Sequence, residues 1–307
     1  MSGISVVGSL NVDVSYRVAV MPVPGETVMA SDRARSFGGK GGNQAVAAAA
    51  LGGRVGFVGA VGGDESGRLY LGHLRSLGVD VAGVEQIEHS DTGTATILVD
   101  DAGENLIVVE PGANALLGPA WVERHVRQAV PDVVLAQLEV SVDALEAAAA
   151  ALPDAAVLVL NPAPMPPNGR GLETLLARVD VLVPNRKELG QLVGRGEPRT
   201  LTDVRACLEG LTFEGAVVVT LGADGAVVRE PGSAPFHVPA LGVEPVDTTG
   251  AGDAFCGALA HGIAVGRPLG ESVQRAVEVA GRSTLHRGAQ PGVPQREVVE
   301  PGQAASR

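Results

Sequence analysis

The sequence predicts an α/β fold: a central, mostly parallel sheet with helices on both faces, plus a small separate β-sheet acting as a lid. Three observations predict it. Short apolar, β-branched runs recur along the chain and read as strands buried on both faces. Helical stretches stand between them, and strand–helix–strand at this spacing implies parallel pairing with right-handed crossovers. Two segments break the rhythm with strands that no helix separates.

In chain order, residues 4–9 form the first strand. Residues 14–37 follow, rich in Val, Ser and Arg around the turn Pro22-Val23-Pro24-Gly25, and make the first irregular segment. Helix 43–51, strand 55–61 and helix 66–77 resume the alternation. Residues 94–100 and 104–109 flank Asp101-Ala102-Gly103, a hairpin signal. The remaining strands are 133–138, 157–160, 181–183 and 216–220, and the remaining helices 142–151, 172–177 and 202–210. Strands without a crossover helix do not easily join a parallel core. Residues 14–37 and 94–109 are therefore assigned to the lid. Residues 1–13, 38–93 and 110–298 are assigned to the α/β core. The polar tail, 299–307, is expected to fray.

A chain of 307 residues that is 45% hydrophobic can bury a sizeable core, so an enzyme-sized globular protein is expected. The formal net charge of −12 argues against a nucleic-acid groove or a face for anionic membranes, which need excess Lys and Arg. An anionic small ligand remains open, because local geometry can bind phosphate inside an acidic protein. Two cysteines, Cys207 and Cys256, are too few for a disulfide scaffold and read as buried small hydrophobes. The start, MSGISVVGSL, has no basic region followed by an apolar core, and no apolar run is long enough for a bilayer. A soluble, cytoplasmic protein is expected.

The motif Asp247-Thr248-Thr249-Gly250-Ala251-Gly252-Asp253 precedes a small-residue helix. Helix N-termini expose unpaired N–H groups and carry partial positive charge. Glycines there let a ligand oxygen approach the backbone, which suits a γ-phosphoryl group. Asp253 in the first turn could accept a hydroxyl proton. A competing reading makes Thr249 an N-cap and Asp253 a complement to the helix dipole. A second cluster, Gly38-Gly39-Lys40-Gly41-Gly42-Asn43, reads as a loop in which Lys40 and Asn43 can reach a polyol, or as a glycine-rich turn capping a closely packed helix. A third, Asn11-Val12-Asp13, sits at the end of the first strand and suits sugar hydroxyls as well as a turn. No Walker A loop exists, since Gly41 follows Lys40 and Ala34 stands at the first glycine position. A dinucleotide fingerprint fails at Phe255, and no His/Cys spacing suggests zinc.

The order NVD (11–13), GGKGGN (38–43), PNRKE (184–188), TLGADG (220–225), DTTGAGD (247–253) and GAQPGVP (288–294) resembles the ribokinase-like (PfkB) sugar kinases. The resemblance runs from about Gly3 to Pro294. VVGSLNVD, MPVPGETV and LNPAP tilt it toward the ribose-phosphorylating members. It implies a three-layer αβα core and ATP-dependent phosphorylation of D-ribose at O5. Asp253 would be the base, with Gly250, Ala251 and Gly252 as anion hole. Asn11, Asp13, Gly39, Lys40, Asn43 and Glu139 would hold the sugar. Asn185, Thr220, Gly222, Asp224 and Gly252 would line the nucleotide cleft. Glu188, in the N-x-x-E pattern, would position Mg²⁺ through water. Asp247 and Thr249, with backbone near Ser283, His286, Gly288 and Gly292, would hold K⁺. Gly292 stands where serine is common, and Glu278 to Arg282 is more polar than the helix usual there. A homodimer through the lid sheets is expected. Other acceptors (fructose, a deoxysugar, a nucleoside) and a non-catalytic sugar sensor stay open. The 3% aromatic content, with Phe37 the only ring near the sugar motif, weighs against a nucleoside, and an intact Asp253 against a sensor.

Overall fold

The computed structural model describes residues 3–166 and 171–290. Strand β1 (Gly3–Val7) leads into β2 (Asn11–Val18) and β3 (Ala30–Gly38). Helix α1 (Lys40–Ala50), β4 (Arg54–Gly62), α2 (Glu65–Ser76) and β5 (Asp80–Ile87) follow. The hairpin β6 (Gly93–Val99) and β7 (Asn105–Glu110) precedes α3 (Pro119–Ala129). Next come β8 (Val133–Gln137), α4 (Val142–Ala151), β9 (Val157–Asn161), α5 (Glu173–Leu176) and β10 (Val181–Leu182). The chain continues through α6 (Arg186–Leu192), α7 (Leu201–Gly210), β11 (Ala216–Thr220), β12 (Ala226–Arg229) and β13 (Phe236–Val238), then α8 (Ala251–Ala264) and α9 (Leu269–Ser283).

The main sheet has the order β13-β12-β11-β10-β9-β8-β1-β4-β5. All its pairs from β11 to β5 are parallel, and β12 and β13 add an antiparallel edge. Alternation along a strand sends successive side chains to opposite layers. Ile4 and Val6 of β1 and Val133 and Leu135 of β8 enter the core under α1, α2, α8 and α9. Val7, Val134 and Ala136 enter the core under α3, α4 and α5. Both faces are covered, which is why these strands read as continuous apolar runs. A third cluster packs Leu189, Val204 and Leu208 against Val217 and Val219.

The second sheet has the order β3-β2-β6-β7, with β2–β6 parallel and its other pairs antiparallel. The expected hairpin is present. Asp100 closes its turn by accepting at Oδ1 from the Ala102 and Glu104 amides, and Gly103 takes the φ of +83° the turn needs.

Two placements differ from the sequence reading. Asn11 and Asp13 do not end β1; they open β2, so they stand on the second sheet. GGKGGN is not a loop either. Gly39 is the N-cap at φ +82°, and Lys40 to Asn43 form the first turn of α1. Its glycines allow close packing, since a Cβ at Gly41 would come within 2.7 Å of the Ser9 backbone N and O. A glycine pair inside a helix start reads locally as a loop, and tertiary packing overrides that. Cys207 and Cys256 are buried free thiols, as expected.

Candidate active site

Helix α8 begins at Ala251, and Gly250 caps it in the left-handed region at φ +74°. Gly250, not Thr249, therefore holds the cap position. A Cβ on Gly250 would lie 2.5 Å from the Ala289 Cβ, so this turn admits only glycine. The Ala251 N–H donates to the Thr248 carbonyl at 3.2 Å. That engages one of the three amides expected in the anion hole. Helix geometry leaves the N–H groups of Gly252 and Asp253 without intrahelical partners. A Cβ on Gly252 would meet no heavy atom within 4 Å, so the space beside these amides is open.

Asp253 is 8% exposed and fixed from both sides by amides of α1. Its Oδ2 accepts from Asn43 Nδ2 at 2.9 Å, and its Oδ1 from Gln44 Nε2 at 3.0 Å. Gln44 is in turn held by Gln137, which donates to Gln44 Oε1 at 2.7 Å. Burial pushes the Asp253 carboxyl above its ordinary pKa, with Lys40, Asn43 and Gln44 opposing. Burial works against the Lys40 ammonium too, yet Asp253, Glu139 and Glu188 together hold its pKa above the usual lysine value.

A cavity of about 170 Å³ joins these groups: Lys40, Asp253, Gly252, Glu188 and Asn185 all line it. The glycine-rich helix start and the α8 N-terminus thus border one space. Lys40 thus shares this lining with Asn185 and Glu188. Glu188 and Asn185 form a reciprocal capping box at the start of α6, at 2.8–2.9 Å. Burial raises the Glu188 carboxyl, and the Asn185 amide and Lys40 oppose it.

At the second sheet, the start of β2 approaches Gly39, the N-cap of α1. Asn11 pairs in register with Gly38 and Gly93. Asn114, which the sequence reading did not single out, locks this corner. Its Nδ2 donates to Asn11 Oδ1 at 2.8 Å, and its Oδ1 accepts from the Leu10 amide at 2.9 Å. Glu139 Oε2 accepts from the Lys40 amide at 2.9 Å and from the Ser9 hydroxyl, so it also anchors the α1 start. Asp13 is raised to about 7 by burial, with the charges of Glu139 and Asp253 adding.

On the other side lies a cleft of about 700 Å³. Asn185, Thr220, Gly222 and Gly252 are on its wall, together with Leu241 and Val277. Asp224 is not. The 3₁₀ turn Gly222–Asp224 sets its carboxylate 2.5 Å from Arg186 Nη2, beside the cleft. The apolar contribution of residues 240–245 was not visible in sequence, because loop-borne Leu and Val carry no periodic signal; α9 did carry one, with Val273, Ala276 and Val277 buried at helical spacing, but it was not read.

Among the described residues no cluster of three His, Cys, Asp or Glu could hold a metal. For K⁺, Asp247 Oδ1 accepts from the Thr249 amide and Oδ2 from the Gly288 amide, each at 2.9 Å. Burial works to raise this carboxyl, but the Gly288 and Thr249 amides prevail and hold it below the usual carboxylate range. An ionised carboxylate is a hard oxygen donor of the kind that suits K⁺. His286 donates its amide to the Ser283 carbonyl at 3.2 Å, which leaves that oxygen a second lone pair. Gly292 lies outside the described residues.

The family model for pfkB family carbohydrate kinase matches residues 1–296. A ribokinase from Schizosaccharomyces pombe is 36% identical over 96% of this chain and 95% of its own length. One from Bacillus subtilis is 35% identical, covering 98% and 99%. The structure of Arabidopsis thaliana ribokinase complexed with ribose and ATP superposes with a TM-score of 0.85 at 30% identity, covering 97% of this chain and 98% of that one.

Proposed function

This chain belongs to the pfkB family of carbohydrate kinases, and from that premise we infer that it transfers the γ-phosphoryl group of ATP to O5 of D-ribose. The observation that carries the reading is Asp253. It is buried, held by Asn43 and Gln44, and shares a cavity wall with Lys40 and the open start of α8.

A sugar alcohol is too weak an acid to ionise before attack, so positioning and charge stabilisation carry most of the reaction. The ribose hydroxyl oxygen forms its bond to phosphorus while the bond from phosphorus to the ADP oxygen breaks. The hydroxyl proton passes to Asp253, whose ionised form accepts it. Lys40 and the amides of Gly252 and Asp253 stabilise negative charge on the transferring group. Asn11, Asp13, Gly39 and Asn43 orient the sugar, with Glu139 holding the α1 start behind them. Asn43 retains one N–H for a ligand, because its other amide contacts are internal. Asn185, Thr220 and Gly222 border the nucleotide. Mg²⁺ would neutralise phosphate charge, with Glu188 orienting its waters. K⁺, between Asp247 and the carbonyls around Ser283, His286 and Gly288, would stiffen the turn at 247–250.

The second sheet is read as a lid that excludes water from the phosphoryl group. Its edge strand β7 exposes Leu106, Ile107, Val108 and Val109, each 48–60% accessible. Four consecutive exposed apolar residues on a sheet edge call for a cover, and a second copy supplies one as a homodimer. No helix of the described residues is long and apolar enough to cross a membrane, and the reading places the enzyme in the cytoplasm with its ATP.

ADP release against ribose, deoxyribose, fructose and adenosine, with K⁺ or Na⁺, tests the reading. The highest kcat/KM is expected with ribose, and turnover is expected to rise with K⁺. Equal near-zero rates with every alcohol would overturn it.

A further inference from the structure

We propose that Gln290 is a positioning residue for Asp253, acting through Asn43. The proposal rests on Asp253 being the base. Gln290 lies far from α8 in function but closes a chain of bonds to it. Its Nε2 donates to Asn43 Oδ1 at 3.1 Å and to the Tyr70 hydroxyl at 2.9 Å. Its Oε1 lies 2.7 Å from His73 Nε2. Asn43 Nδ2 then reaches Asp253 Oδ2 at 2.9 Å.

The direction of every bond in this chain is fixed from two ends. At one end, an ionised carboxylate only accepts, so Asn43 must present Nδ2 to Asp253 and Oδ1 to Gln290. Gln290 must therefore offer Nε2. At the other end, the Tyr70 hydroxyl donates to the Gly38 carbonyl at 2.6 Å, and a carbonyl only accepts. Tyr70 oxygen must then accept from Gln290, which again requires Nε2. Both ends demand the same orientation of one amide. What remains is Oε1, and His73 must answer it with a protonated Nε2.

The surroundings hold this arrangement rigid. Gln290, Asn43 and Tyr70 are 7%, 8% and 0% exposed. The Phe37 ring packs on both Tyr70 and His73, with centroids 4.6 and 4.7 Å away, and those two rings stand 6.3 Å from each other. A buried amide turned the wrong way would leave unpaired groups on both sides, which costs far more than a surface bond lost. Gln290 thereby keeps Asn43 from turning its oxygen toward the base.

Two variants separate this role from space filling. Gln290→Glu keeps the shape but replaces the donor with an acceptor, so Asn43 must turn and set Oδ1 against Asp253. Gln290→Leu removes both polar atoms and lets Asn43 keep its bond. The expected order of kcat is wild type, then Leu, then Glu, with the Glu variant down roughly a hundredfold, as for a misplaced catalytic group. KM for ATP should stay unchanged in both, with cooperative melting confirming the fold. A Glu variant as active as the Leu variant, or more so, would overturn the proposal. In the wild type, ¹⁵N NMR of neutral His73 should show the Nε2–H tautomer, whichever alcohol is the substrate. The Nδ1–H tautomer would overturn the chain's direction. Absence of turnover in the wild type with every alcohol would instead count against the functional reading, with the His73 tautomer still deciding the chain's direction.

Discussion

Asp253 is the point at which structure and chemistry meet, and its replacement is informative because its packing is already polar on both sides. Asp253→Asn preserves shape and keeps one of the two contacts to α1, its NH2 facing the amide donor of Asn43 or Gln44 on the other side, and nucleotide and ribose binding by calorimetry should persist. Turnover should fall at least about a hundredfold, the lower range for losing a general base. Burial raises this carboxyl, against Lys40, Asn43 and Gln44. The base must be deprotonated, so kcat/KM should fall as pH drops, starting above the ordinary carboxylate range. Asp13 carries a stability signature instead. Burial, then Glu139 and Asp253, raise it from 3.8 to about 7. The folded state binds that proton more tightly than the unfolded chain, so stability declines as pH rises from 3.8 to about 7 and is level above. Asp13→Asn should flatten that slope in sugar-free thermal melts and leave the variant more stable than wild type near pH 8. An unchanged slope would mean that Asp13 is not the titrating group.

Helix α8 makes a prediction from two neighbouring glycines that differ in surroundings. Gly250 is left-handed with Ala289 against it, whereas Gly252 is helical with open space beside it. Gly250→Ala should destabilise by about 1–2 kcal/mol from backbone strain alone, and more from the clash. Gly252→Ala should be stable or gain about 0.5–1 kcal/mol in a urea titration, since alanine suits a helix better. Its methyl nevertheless occupies the space the phosphoryl oxygens need, and kcat should drop roughly a hundredfold, as when an anion-hole donor is lost. A slow but sturdy Gly252→Ala would separate function from folding at one turn. The helix start at this motif was legible in sequence from glycines before a small-residue stretch, while its role came from the resemblance, since helix position alone suited a cap equally. Legible too were β4, β8 and β11, which are buried on both faces and keep an unbroken apolar pattern. The short β12 and β13, of 4 and 3 residues, offer too few positions for any pattern. The start of α1 was hidden because Gly41 and Gly42 read as loop until Ser9 packs on them. Gln44, Asn114 and Gln290 were missed for a different reason. An amide's role depends on its partner, and the partners lie 209, 103 and 247 positions away.

At the scale of the whole molecule, the exposed edge of β7 carries the proposed dimer. Light scattering should give a dimer mass for the wild type. Ile107→Lys should give a monomer with an unchanged melting curve for the core, because residue 107 is 53% exposed and contributes little inside one chain. A dimer that survives this charge would place the interface elsewhere. The root of the second sheet has a further consequence. Asn11, Gly38 and Gly93 stand side by side in register where three strands leave the core. A side chain on Gly38 would strike the Asp13 carboxylate, and one on Gly93 would strike Asn11 and Asn114. On the reading proposed above, the axle on which the cover swings and the fingers that grasp the pentose are the same few atoms. Retuning the grip for another alcohol would also reset how the cover seats, so acceptor choice and closure must evolve together.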